Sequence, residues 1–149
     1  MSHSRIIQVS VERLNESDRM HASNFDEDML RCEIDCFDYC VDSSDRADDL
    51  DWFKEQLERV GFALDGDAIT VGNDHSFLDK WKDEAVKAAN EFDLYKMERL
   101  ASGVYFSAFY IYDEYFGYPV PLWKWAKDVI EERREIEEFY VGGIIDYHF

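Results

Sequence analysis

The chain has 149 residues, 46% of them hydrophobic and 16% aromatic, which is the material of one domain able to bury a core and not the composition of a disordered segment. Its surface is set by 34 Asp and Glu against 16 Lys and Arg, a formal net charge of −18. Direct binding of DNA, RNA or anionic lipid is all but excluded, because it needs cations that displace counterions from phosphates.

From Arg5 to Leu14 the sequence alternates, with Ile7, Val9 and Val11 on one side and Gln8, Ser10 and Glu12 on the other. That period of two predicts a half-buried strand. Asn15 to Asn24 is polar and predicts a loop. Phe25 to Val41 supports two readings. A helix capped by Asn24, with Glu27 three residues on, would bury Met29, Leu30, Cys36, Phe37, Cys40 and Val41. A strand would alternate Leu30, Cys32, Ile34 and Cys36 with Arg31, Glu33 and Asp35. Both stay open.

Ser43-Ser44 followed by Asp45, Asp48 and Asp49 supplies a cap and a negative first turn. Leu50, Phe53, Leu57 and Val60 then recur at helical spacing and Gly61 fits the end, predicting a helix over about 45–60. Phe62-Ala63-Leu64, Asp65-Gly66 and Ala68-Ile69-Thr70-Val71 predict a hairpin with a type I′ turn at the Asp-Gly pair. Another helix begins at Ser76 with Phe77, Leu78, Trp81, Ala85, Ala88 and Phe92 on one face, and it continues or restarts through Leu94, Met97 and Leu100 until Gly103 stops it.

Eight of the fourteen residues from Tyr105 to Tyr118 are aromatic, which favours strand structure, although the spacing of Phe106, Phe109, Tyr110 and Asp113 also suits a helix; core packing is the expected use, ahead of a protein interface. Pro121 suits the first turn of a final helix to about Glu138, with Trp125, Val129 and Ile136 buried. The tail from Phe139 to Ile145 reads as two short strands around a Gly142-Gly143 turn. The expected fold is therefore α+β: a single domain over 1–149, with three to five helices on a small, mostly antiparallel sheet.

No basic, apolar leader opens the sequence, and the longest run without a charge, Ala101 to Tyr112, has twelve residues where a membrane span needs about 20. Cys32, Cys36 and Cys40 are an odd number crowded together, unlike a disulfide framework. A reducing cytoplasm is the expected compartment. The cysteines fall at i, i+4 and i+8, yet no second Cys or Cys/His pair accompanies them, so packing is expected in place of zinc binding. His3, His21, His75 and His148 stand isolated, and His148 alternates with Asp146 as on one face of a terminal strand. Gly-x-Ser-x-Gly, Gly-x-Gly-x-x-Gly, P-loop and EF-hand patterns are missing, and no cofactor or catalytic residue is assigned.

Charge is the remaining signal. Asp26, Glu27, Asp28, Glu33, Asp35, Asp38, Asp42, Asp45, Asp48, Asp49 and Asp51 face only Arg31 and Arg46, giving −9 in 26 residues and half the net charge of the chain. Carboxylates held on rigid elements present a field comparable to the phosphates of a duplex, so these eleven are the candidate partner-binding residues. The profile is similar to that of small acidic phage-type inhibitors of restriction and CRISPR complexes, a likeness of composition and not of motif. The expected function is a non-enzymatic inhibitor or regulator that occupies the basic nucleic-acid channel of a DNA- or RNA-binding protein as a nucleic-acid mimic, in an anti-restriction, anti-CRISPR or immunity/antitoxin role. Two alternatives stand beside it: a small carboxylate-dependent, metal-assisted hydrolase, and an adaptor that binds through the aromatic segment 105–125.

Overall fold

The computed structural model describes residues 2–149. Strand β1 (His3–Ser10) is followed by two short 3-10 turns, Glu16–Asp18 and Ala22–Asn24, then helix α1 (Glu27–Glu33) and strand β2 (Tyr39–Asp42). Helix α2 (Arg46–Glu58), strands β3 (Ala63–Asp65) and β4 (Ala68–Thr70), and helices α3 (Ser76–Glu91) and α4 (Leu94–Ser102) come next. Strands β5 (Tyr110–Asp113) and β6 (Pro119–Pro121), helix α5 (Leu122–Glu132) and strand β7 (Glu138–His148) complete the chain. Five helices thus lie on a seven-stranded sheet of order β3-β4-β7-β1-β5-β6, with β2 also on β7. Only β1 and β5 run parallel, so the α+β expectation holds.

Both faces of the sheet are covered. Ile7, Val9 and Ile144 point to one side, where Phe53 and Leu57 of α2 and Trp123, Trp125, Ala126 and Val129 of α5 close the larger core. Ile6, Tyr110, Ile145 and Tyr147 point to the other, where Phe25, Leu30 of α1, Ile34 and Phe37 form a second core. This double cover corrects the half-buried reading of the first strand. Ile6, Ile7, Gln8 and Val9 are all buried, and the strand stops at Ser10, leaving Val11 exposed.

The tail is one long strand, not two around a turn. Between the pairs Ile7↔Ile144 and Val9↔Val141, β1 advances two residues while β7 advances three, so Gly142-Gly143 is a bulge. Its glycines are there for proximity. Gln8 Oε1 accepts from both Met20 N and Gly143 N at 2.8 Å, and a Cβ on Gly143 would lie 2.0 Å from the Met20 carbonyl oxygen. The extra residue also flips the side-chain alternation, which lets Phe139 and Val141 before it and Ile144 after it share one core. On the far edge of β7, β4 pairs up to Tyr140 and β2 begins at Ile145. Arg46 fills the gap, donating to Gly142 O at 2.5 Å and Val141 O at 3.2 Å.

Other boundaries shifted for local reasons. The ambiguous 25–41 segment is helix and then strand: α1 ends at Glu33, Cys36 turns the chain with φ of 59°, and β2 starts at Tyr39. The hairpin loop is Gly66-Asp67, one residue later than expected, and only its first position has positive φ, the pattern of a type II′ turn. The aromatic segment holds β5, a turn and β6, and is strand only in part. Helix α5 ends at Glu132, because Arg133 turns inward to the core and cannot continue the helix to Glu138. The helix from Ser76 does restart: Phe92 adopts φ of 52°, Asp93 caps α4 through Lys96 N at 3.0 Å, and Gly103 stops it with φ of 86°.

Candidate functional site

The eleven candidate acids sit on or beside three elements, α1 and α2 on opposite faces of the sheet and β2 at its edge. Asp26, Glu27, Asp28, Glu33 and Asp35 belong to α1 and its ends, on the side of the second core. Asp38 and Asp42 flank or lie in the edge strand β2, and Asp45, Asp48, Asp49 and Asp51 belong to the first turns of α2, on the opposite side. Since α1 also reaches β6, at the side of the sheet away from β2, the acids are divided between two faces and an edge and form no flat face.

Rigid local structure holds several of these acids. Asp26 caps α1 by accepting from Asp28 N at 2.9 Å, and Asp45 caps α2 by accepting from Asp48 N at 3.1 Å, so both carboxylates are fixed by orphan helix donors. Asp42 accepts from Ala22 N at 2.6 Å and lies 3.0 Å from His21 Nδ1. Those contacts, chiefly the Ala22 N–H, hold its carboxyl below the ordinary range. Asp48 is shifted the opposite way, because Asp45 beside it, with Asp51 and Asp49 nearby, disfavours a second negative charge. Like charges are therefore crowded at the start of α2 without compensation.

Neutralisation is uneven. Arg31 pairs with Glu27 at 3.3 Å and Asp28 at 3.2 Å, as helical spacing dictates, and such exposed pairs contribute little to stability. Asp49 leaves the candidate surface altogether: it is 3% exposed and bonded to Arg5 and Ser43. Its helical position next to Asp48 made it look like a surface acid, but the stripe of Phe53 and Leu57 turns it inward onto β1. Arg46, the other cation of the segment, is spent on the β7 backbone. Asp26, Glu33, Asp35, Asp38, Asp45, Asp48 and Asp51 are exposed and make no ion pair among the described residues.

The cysteines do not share a face. Cys32 is on α1, Cys36 in the turn and Cys40 on β2; the first two are exposed, so packing explains only Cys40. The Asp35 carboxylate pushes the Cys36 thiol up, away from the reactive thiolate. Among the described residues no three His, Cys, Asp or Glu side chains converge as a metal ion requires. The aromatic segment goes largely inward: Phe109 and Tyr110 are buried, and only Tyr105 and Tyr115 are well exposed.

Two groupings escaped the sequence because their members are far apart along it. His3 Nδ1 lies 3.0 Å from Asp146 Oδ1, His148 Nε2 lies 3.8 Å from the same oxygen, and the Tyr39 ring stacks on His148 at 4.4 Å. Pairing of His3 and Tyr39 with His148 across β1-β7-β2 makes this cluster, of which only the Asp146/His148 alternation was visible beforehand. Asp113 accepts from Arg133 Nη1 at 2.5 Å, Trp125 Nε1 at 3.0 Å and Tyr115 N at 3.1 Å, beside a cavity of about 470 Å³ lined also by Gln8, Ser10 and Leu14. A second cavity of about 490 Å³ lies between the end of α1 and α4, with Cys32, Cys36 and Arg99 on its walls. Compared with known protein families, curated proteins and solved structures, the chain matches none.

Proposed function

We propose that this protein is a non-enzymatic inhibitor or regulator that docks into the basic nucleic-acid channel of a DNA- or RNA-binding protein, with carboxylates replacing phosphates. The observation that carries the reading is the set of seven exposed, unpaired acids on α1, on α2 and in the turn between α1 and β2, anchored at Asp26 and Asp45 by helix caps. Because it spans two layers of the fold, on the order of 20 Å from one to the other, a cationic cleft can close on it from both sides. Its charge steers the encounter, and apolar contacts beside it, such as exposed Tyr39 and Val41 on β2, prolong the complex. Asp49 takes no part. The action is in a reducing cytoplasm, where the exposed thiols Cys32 and Cys36 persist.

The test is affinity capture from the source cytoplasm at 50 mM salt and again on the order of 500 mM, followed by competition with duplex DNA and RNA. A basic nucleic-acid-binding protein is expected at low salt, lost at high salt and displaced by one of the nucleic acids. Changing Asp45, Asp48 and Asp51 together to Asn is expected to slow association about tenfold to a hundredfold, toward the unsteered range of about 10⁵–10⁶ M⁻¹s⁻¹. Capture indifferent to salt and to these substitutions would end the mimic reading.

A further inference from the structure

Helix α3 is anchored at one end only. Phe77 and Trp81 meet Trp123 of α5 edge to face at 5.3 and 6.3 Å, whereas Ala88 further along and Leu100 of α4 are buried outside both core clusters. The far half of α3 and all of α4 are therefore joined mainly to each other, through Trp81 Nε1 to Leu100 O at 2.9 Å and Lys96 to Glu84 at 3.0 Å. A groove of about 200 Å³ runs between them, lined by Trp81, Ala85, Met97, Leu100 and Ala101. At the tip of the hairpin, where α3 turns into α4, stand Phe92 and Leu94. Phe92 is 72% exposed and Leu94 60% exposed.

Phe92 is also costly where it stands. It ends α3 with φ of 52°, a left-handed conformation that a bulky side chain disfavours and that Gly103 supplies without strain at the end of α4. A large apolar ring that is exposed and strained contributes nothing to the fold that glycine would not improve. Its use lies outside the monomer.

Charge identifies the occupant. From Ser76 to Ser102 there are five Lys and Arg against six Asp and Glu, a net of −1, while the other 122 residues carry −17. A strongly basic partner gains little here. Two copies of a chain at −18 repel each other nearly everywhere else, so this hairpin is the surface on which they can touch. We propose that two copies pair through the α3–α4 hairpin, grooves face to face. With a long helix of about 24 Å and two helices about 10 Å wide, the face offers roughly 480 Å² per copy. That is below the roughly 800 Å² per partner of a tight complex, so the dimer is weak, with Kd on the order of 10–100 μM.

Sedimentation equilibrium of the full chain from 10 μM to 1 mM, at 0.05 and 0.5 M NaCl, reads this directly. A monomer–dimer equilibrium is expected that tightens about tenfold at the higher salt, because salt screens the repulsion and leaves the apolar contact. Phe92→Gly and Leu94→Glu are both expected to weaken it at least tenfold without lowering the thermal midpoint, since glycine relieves the strain and Glu suits the first turn of α4. Tyr115→Ser, away from the hairpin, is expected to leave it unchanged. A monomer at 1 mM in both salts, a dimer indifferent to Phe92→Gly and Leu94→Glu, or a dimer that salt weakens would each overturn the proposal. Failure here leaves the mimic reading standing, because that reading uses different residues and the opposite salt dependence.

Discussion

Replacing Asp113 by alanine removes one carboxylate and strands three donors at once: Arg133 Nη1 at 2.5 Å, Trp125 Nε1 at 3.0 Å and the Tyr115 N–H at 3.1 Å. Arg133 is 6% exposed and lies between the rings of Tyr115 at 4.3 Å and Phe139 at 5.3 Å, so its guanidinium is largely desolvated. Breaking a buried pair from one side costs about 3–5 kcal/mol, and an orphaned buried N–H about 1–3 kcal/mol more. These losses overlap because they share one site, and about 4–6 kcal/mol is the expected total. Out of a domain stability of about 5–15 kcal/mol, that brings the protein to the edge of unfolding. Urea unfolding followed by tryptophan fluorescence and far-ultraviolet circular dichroism should show a midpoint lower by about 2–3 M, for a slope near 2 kcal/mol per M. Asp113→Leu combined with Arg133→Met removes both charges and is expected to recover at least about 2 kcal/mol of the loss. A shift under about 0.5 M for Asp113→Ala, or a double variant less stable than the single, would refute the account.

Two further predictions follow from close approaches and from burial. Gly143→Ala places a Cβ 2.0 Å from the Met20 carbonyl oxygen and should cost about 2–3 kcal/mol, whereas Gly66→Ala, with φ of +61° and open space around it, should cost only about 1–2 kcal/mol; equal thermal midpoints for the two would contradict the packing of the bulge. Burial pushes the Tyr147 hydroxyl well above its ordinary value of 10, and Tyr110 moves the same way for the same reason. The native state then keeps protons that the unfolded chain releases, so this stabilisation is complete below pH 10 and is lost as pH rises beyond it. Urea midpoints should fall from about pH 10 upward while the 295 nm absorbance reports exposed tyrosines ionising first; a flat midpoint, or all nine tyrosines of the folded protein titrating together, would remove the argument.

What the sequence revealed is what depends on neighbours within a few residues. The Asp45 cap with Leu50, Phe53 and Leu57 marks α2, and Gly103 marks the end of α4, because capping and helical spacing are local physics. Gly142-Gly143 resembled a turn because two glycines are permissive anywhere; the reason for them, Gln8 and Met20 pressed against the strand, lies more than 120 residues away. The same distance hid the surroundings of Asp49, whose partner Arg5 comes from β1. Arg46 was counted against the acids because it sits among them, while its guanidinium reaches the break between β4 and β2. For the candidate surface, composition named the acids, but which of them face water and which are spent inside is decided by the order of strands in the sheet.

Strand β7 touches β1, β2 and β4, and β1 and β7 stand far apart along the chain. Once made, β1 waits through more than 120 residues for its antiparallel neighbour, roughly 6–25 s at synthesis rates of about 5–20 residues per second. During that interval Ile6, Ile7 and Val9 are a sticky, half-dressed ribbon, and the nascent polypeptide depends on mutual repulsion among its carboxylates to stay dispersed.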